Sequence, residues 1–157
     1  MSQKTNAIRI LEQLNIDFEL QEYKVDEEDL SAEHVAAVLG IPADSIYKTL
    51  VLTGMQEPYL VALIPGDSHL DFKKMAKVSG NKSCEMLPLK DLQKITGYVR
   101  GGCSPIGMKK SFPTYIEEFA ALQEKIIISA GKRGLQICIT PQDVQKCTDA
   151  VFADLVK

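Results

Sequence analysis

Apolar and polar positions along the chain alternate in two rhythms. Near the N-terminus, Ala7, Ile8, Leu11 and Leu14 recur at helical spacing and predict a first helix over residues 3–14. The next segment, "DFELQEYK", changes to period two: Phe18 and Leu20 alternate with charged neighbours and Tyr23 takes the opposite face of a strand. Ser31 is placed to N-cap a helix that runs to Leu39, where Gly40 and Pro42 stop it. Two strand-like runs follow, "SIYKTLVLTG" and "EPYLVALIPG", with a glycine-containing turn between them, so a hairpin is expected.

Beyond the hairpin, Asp71 opens a short helix expected to turn Phe72, Met75 and Ala76 inward and to close at Gly80. "SCEML" reads as another strand, and Leu89, Leu92 and Ile95 as a further short helix ended by Gly97. A loop-rich passage, "GYVRGGCSPIGMKKSFPTYI", breaks the pattern. "EKIIISAGKRGLQICIT" then predicts two strands around a glycine-rich turn. Thr140-Pro141-Gln142-Asp143 has the form of a capping box with proline at the first helical position, opening a terminal helix expected to carry Val144, Cys147, Val151 and Leu155. Strands come mostly in adjacent runs with helices scattered among them. That order predicts a single α+β domain spanning residues 1–157, with a mixed, largely antiparallel, barrel-like sheet flanked by helices.

Composition narrows the function. Of 157 residues, 45% are apolar and 25% charged, as in ordinary globular proteins. No apolar run approaches the ~20 residues of a membrane span, and "MSQKTNAIRILEQLN" lacks the apolar segment of a signal peptide, so a cytoplasmic location without membrane attachment is expected. The four cysteines include no CxxC pair, and the two histidines, His34 and His69, lie far apart; neither a metal nor another cofactor is expected. A net charge of −3 offers no global attraction to a phosphate backbone, so nucleic-acid contact needs a local basic patch or a partner. Candidate patches are Lys73, Lys74, Lys77 and Lys82, and Lys109 with Lys110; a solvated helix face or loop is the favoured reading of each cluster on its own.

Three segments could carry chemistry. Lys48 interrupts the strand "IYKTLVL", sharing a face with Ile46, Leu50 and Leu52. An ammonium there is either a strand-end lysine reaching for water or a site lysine facing an anion or a developing oxyanion. In "GYVRGGCSPIG", Gly101 and Gly102 let backbone approach a ligand closely and Ser104-Pro105 fixes the exit, although a sharp connection alone would also require glycine. The third segment is the turn "SAGKRG". Competing motifs fail: "GCSPIGMK" has P-loop glycine spacing but Met108 in place of lysine, "SAGKRG" lacks a following helix, and there is no GxSxG elbow.

Together "IYKTLVL", "LDFKKMAKVSG", "TGYVRGGCSPIGMKK" and "SAGKRGL" resemble, in order and separation, the YbaK/EbsC family of aminoacyl-tRNA deacylases, and the K-T dipeptide and GG-x-SP-x-G loop look more like its Cys-tRNA(Pro) branch than its alanine-editing branch. The resemblance implies a fold like the editing domain of bacterial prolyl-tRNA synthetases and removal of a wrongly attached amino acid from the tRNA 3′ end. Mischarged tRNA and prolyl-tRNA synthetase are the implied partners. In the cysteine-specific branch the substrate's own thiol is proposed to attack its ester, releasing a thiolactone, so no protein nucleophile is needed. By the same resemblance Lys48 matches the essential lysine, and Tyr23, Thr49, Gly101, Gly102, Ser104, Ser129 and Gln136 fall at substrate-binding positions. One departure stands out: Gln136 replaces an aspartate common in the family, which bears on how the substrate's α-ammonium is held. Cys103 lies inside the loop as an incidental residue. The alternative is a non-catalytic module of the same fold that binds aminoacyl-tRNA or a synthetase.

Overall fold

A computed structural model describes residues 4–157. Helix α1 (Asn6–Gln13) starts where the Thr5 hydroxyl accepts from the Ile8 amide, and it buries Ala7, Ile8 and Leu11. Of the first helix expected over 3–14, residue 3 lies outside the described residues. Leu14 was expected on its inner side but is 48% exposed, because the helix ends at Gln13 and Leu14 is its C-cap. Strand β1 (Glu19–Glu22) is shorter than the expected run, and α2 (Ala32–Leu39) is capped by Ser31 and closed by a left-handed Gly40, as the sequence predicts.

The expected hairpin forms from β2 (Tyr47–Gly54) and β3 (Leu60–Pro65), paired antiparallel from Tyr47–Pro65 to Leu52–Leu60. After it come α3 (Phe72–Ser79), capped by the Asp71 carboxylate, then β4 (Cys84–Met86) and α4 (Leu92–Thr96). Phe72, expected to turn inward, is 39% exposed; Met75 and Ala76 are the residues of α3 that bury. The end of the loop-rich passage contributes strand β5 (Thr114–Glu117). Then β6 (Ile126–Lys132) and β7 (Leu135–Ile139) pair antiparallel, with a register shift between Ser129 and Lys132.

The terminal helix corrects the sequence reading. α5 (Pro141–Thr148) begins as expected at the Thr140 cap, but it ends at Asp149, whose φ of 54° is left-handed. Val151 and Leu155 are therefore off the helix. Val151 belongs to β8 (Val151–Ala153), which pairs parallel with β5. A β-branched and an aromatic residue, Val151-Phe152, meet an open strand edge there, and that pairing outweighs helical periodicity.

The strands divide into a three-stranded sheet, β1-β7-β6, and a five-stranded sheet, β4-β2-β3-β5-β8. Antiparallel pairs dominate; β3–β5 and β5–β8 are parallel, so the fold is mixed α+β as expected. A parallel bridge between Ile46 and Ile127 joins the two sheets at the entrance of β2. Strand β3 is buried along its whole length. On one side, Tyr47 and Leu63 join a core with α1, β6 and β7; on the other, Leu52, Ala62 and Ile64 pack with Met75 and Leu155. Both faces of β2 are thus covered, and Lys48 stands at the end of the second apolar row. Among the described residues no helix is long and apolar enough to cross a membrane.

Candidate aminoacyl cleft

The first residues of β2 border a cleft of ≈ 290 Å³ at the junction of the two sheets, near the lower end of small-molecule sites. Lys48, Thr49 and Leu50 form its floor. Arg100, Gly101 and Cys103 come from the loop after α4, Ser129 from β6 and Gln136 from β7. Residues 30–32 and Val35, at the start of α2, close the remaining side. The lining contains two cations, Lys48 and Arg100, and no carboxylate.

The Lys48 ammonium donates to the carbonyl of Gly66 at 3.2 Å. One of its three N–H groups is thereby engaged and two remain for a bound group. The neighbouring Thr49 hydroxyl is buried and has no hydrogen-bond partner among the described residues. A buried hydroxyl left unpaired costs roughly 1–3 kcal/mol, so this atom is held at the cleft against its own solvation. Ser129 and Gln136 are direct cross-strand partners and therefore lie on one face of their sheet; Gln21 on β1 continues the same row. Gln136 is only 4% exposed. A carboxylate at that depth, with no cation on the row, would lose much of its hydration; the amide of Gln136 is neutral and both donates and accepts.

Gly101 has φ +81°, in the left-handed region that glycine alone enters without strain. Gly102 is needed for a different reason. A Cβ there would stand 2.8 Å from the Arg133 backbone nitrogen and 2.9 Å from Lys132 backbone atoms. The loop thus lies flat on the tip of the β6–β7 hairpin. Arg133 fastens it: its Nε donates to the Arg100 carbonyl at 2.8 Å, and its Nη1 pairs with Glu27 at 2.7 Å.

Five residues expected at the site, Lys48, Thr49, Gly101, Ser129 and Gln136, meet in this one cleft. Three lie outside its lining. Gly102 supports the loop from beneath. Ser104 is fully buried, and its hydroxyl accepts from the Ile106 amide to shape the turn. Tyr23 follows β1, with its amide donating to the Gly134 carbonyl, and packs beside Val35, Ile46 and Ile127. Cys103 does reach the cleft, but burial pushes its thiol up to about 12, against a smaller opposing effect of Thr96, so it stays protonated near neutral pH.

Sequence reasoning missed Arg100, the α2 wall and the Arg133 clamp. Arg100 could have been found from its place directly before the two glycines. Leu30 and Val35 carry no chemical signature, and only the fold brings them to Lys48.

Comparison with known proteins places the chain in a family. The chain is 53% identical over 153 residues to EbsC of Enterococcus faecalis, for which Cys-tRNA(Pro)/Cys-tRNA(Cys) deacylation is the proposed activity; the match covers 98% of this chain and 93% of that protein. A proline–tRNA ligase of Geotalea daltonii is 40% identical over 82 residues, covering 52% of this chain and 14% of the ligase. Among solved structures, a proposed trans-editing enzyme for prolyl-tRNA synthetase superposes with a TM-score of 0.82 over 99% of both chains; at 22% identity this establishes the shared fold. The family model for the aminoacyl-tRNA editing domain matches residues 26–147, the span that holds all but one of the expected site residues, and the chain belongs to that family.

Proposed function

We propose that the protein is a trans-acting deacylase that clears mischarged aminoacyl-tRNA, with Cys-tRNA(Pro) as principal substrate and Cys-tRNA(Cys) as a second one. The observation that carries this reading is the cleft itself. A lysine with two unused donors sits beside a left-handed glycine and an unpaired hydroxyl, while the one thiol in the lining is held neutral. A site built this way favours charge developing on a substrate oxygen and offers no activated nucleophile from the protein.

The substrate supplies the nucleophile. The cysteinyl sulfur forms a bond to its own ester carbonyl carbon, the bond from that carbon to the ribose oxygen breaks, and the ribose oxygen takes up the proton the thiol gave up. The products are free tRNA and a cysteine thiolactone. Lys48 stabilises the carbonyl oxygen as it gains charge, the Gly101 backbone and Thr49 hydroxyl fix the ester, and Ser129 with Gln136 meets the amino-acid end. A neutral amide holds the α-ammonium less strongly than a carboxylate would. The enzyme works in the cytoplasm, with prolyl-tRNA synthetase presenting the tRNA.

The test is deacylation of Cys-tRNA(Pro), Ala-tRNA(Pro) and Pro-tRNA(Pro) in parallel, with mass spectrometry of the released amino acid. Selective loss of the cysteinyl ester with thiolactone formed supports the mechanism. No turnover of any charged tRNA would leave only the binding module.

A further inference from the structure

A second concavity, ≈ 380 Å³, lies beyond the cleft between the β2–β3 turn, α4 and the segment before β5. Lys94, Lys109 and Lys110 converge on it, against one carboxylate, Glu57. Two aromatic rings, Tyr59 and Phe112, also line it, packed edge to face with centroids 5.5 Å apart. In a chain of net charge −3, three lysines around an aromatic-lined hollow form a local field opposite to that of the whole. Lys110 takes part in no ion pair among the described residues, and Lys94 meets Asp91 only at 3.7 Å with 74% of its side chain exposed. The lysines of α3 offer no comparable hollow, and Lys74 there is already held by Asp154 and the Val156 carbonyl.

The hollow lies on the same helix as a cavity that adjoins the cleft. An apolar cavity of ≈ 250 Å³ shares Thr49, Leu50, Arg100, Gly101 and Cys103 with the aminoacyl cleft and reaches Leu92 on α4. The same helix turns Lys94 and Ile95 into the basic hollow. Tyr59 precedes the Leu60–Leu52 pair, so it stands about five residues along the hairpin from Lys48, roughly 17 Å at about 3.3 Å per residue.

We infer that the basic hollow docks the single-stranded 3′ phosphodiester strand of the tRNA upstream of the esterified ribose, with Lys94, Lys109 and Lys110 meeting phosphates and Tyr59 and Phe112 meeting an unstacked base. This rests on the aminoacyl-tRNA reading of the cleft. Phosphate contacts of this kind position a strand without reading its sequence, which suits an enzyme that must accept more than one tRNA.

The test compares the full chain with Lys94→Gln/Lys110→Gln, both on exposed side chains, after thermal unfolding has shown equal stability. Each lost phosphate contact lowers the slope of log affinity against log salt by about 0.7 for a single strand. The double variant should therefore show a slope smaller by about 1.4, so that between 50 and 200 mM salt the parent loses about 7-fold more affinity for charged tRNA. KM for Cys-tRNA(Pro) should rise several-fold with kcat unchanged, while 3′-cysteinyl adenosine, which has the ester but no upstream strand, should be cleaved at the parental rate. Parental slope and KM on full-length tRNA would overturn the inference and leave the deacylase reading intact. So would a defect confined to binding prolyl-tRNA synthetase, which would make the hollow a protein-docking surface. A reduced slope in the variant, with neither ester cleaved by the parent, would support the dock and sink the deacylase reading instead.

Discussion

Replacing Gly102 by alanine tests whether the loop over the cleft is held by backbone-to-backbone contact. The added methyl would meet the Arg133 nitrogen at 2.8 Å and the Lys132 carbonyl carbon and Cα at 2.9 Å. All three atoms belong to the β6–β7 hairpin, which cannot step aside as a flexible side-chain end would. Restoring ordinary van der Waals separation, about 3.5–4.0 Å, requires the loop to lift by roughly 0.6–1.2 Å. Overpacking of this kind costs about 1–3 kcal/mol, a loss of about 2–12 °C in Tm for a chain of this size. The same lift carries Arg100 and Gly101 away from Lys48, and a misplacement near 1 Å can cost about 100-fold in rate. Differential scanning fluorimetry and steady-state deacylation of Cys-tRNA(Pro) measure the two effects. An alanine variant with parental Tm and parental kcat/KM would refute the packing argument.

Other perturbations separate stability from activity. Thr49→Val should keep or slightly raise Tm, because it removes a buried unpaired hydroxyl, yet lower kcat/KM; a fall in Tm with full activity would deny the hydroxyl a substrate role. Arg133→Ala removes an exposed ion pair worth about 1 kcal/mol at most, but it frees the Arg100 carbonyl and should reduce kcat/KM about 10- to 100-fold; lysine, lacking the planar fork, should not restore it. Iodoacetamide at pH 8 should leave Cys103 unmodified in the folded protein, and Cys103→Ala should retain deacylation. Burial raises this thiol from 9.0 to about 12, so the folded chain keeps a proton that the unfolded chain releases. Its contribution to stability is complete below pH 9 and is lost as pH rises toward 12, which urea titrations at pH 8 and 10.5 can detect.

Much of this was legible because local chemistry and tertiary packing agree. The Ser31–Gly40 helix, the β2–β3 hairpin and the Thr140–Pro141 helix start carry caps or turn residues that fix their ends. Where a decision depended on a distant partner, periodicity misled. Val151 continues a helical pattern but is drawn into a strand by the edge of β5, and Phe72 sits at an inward spacing but is the first residue of α3 and stays exposed at its end. The site divides the same way. Lys48 and the glycine loop announced themselves by residue type out of place. Ser104 carried the same kind of signal but serves the turn, because a hydroxyl beside a proline reads alike whether it binds a ligand or its own backbone. The α2 wall had no signal, since aliphatic side chains look the same facing a core or a substrate.

The proposed role of the Lys48 ammonium is to stabilise charge at the ester during cleavage. Single-turnover deacylation of Cys-tRNA(Pro) by saturating Lys48→Ala enzyme, with uncatalysed loss subtracted, tests it most directly. A well-placed donor of this kind is worth roughly 3–4 kcal/mol, so the rate should fall by about two to three orders of magnitude while Tm stays near the parental value. A Lys48→Ala enzyme that cleaves the ester at the parental rate would contradict the account.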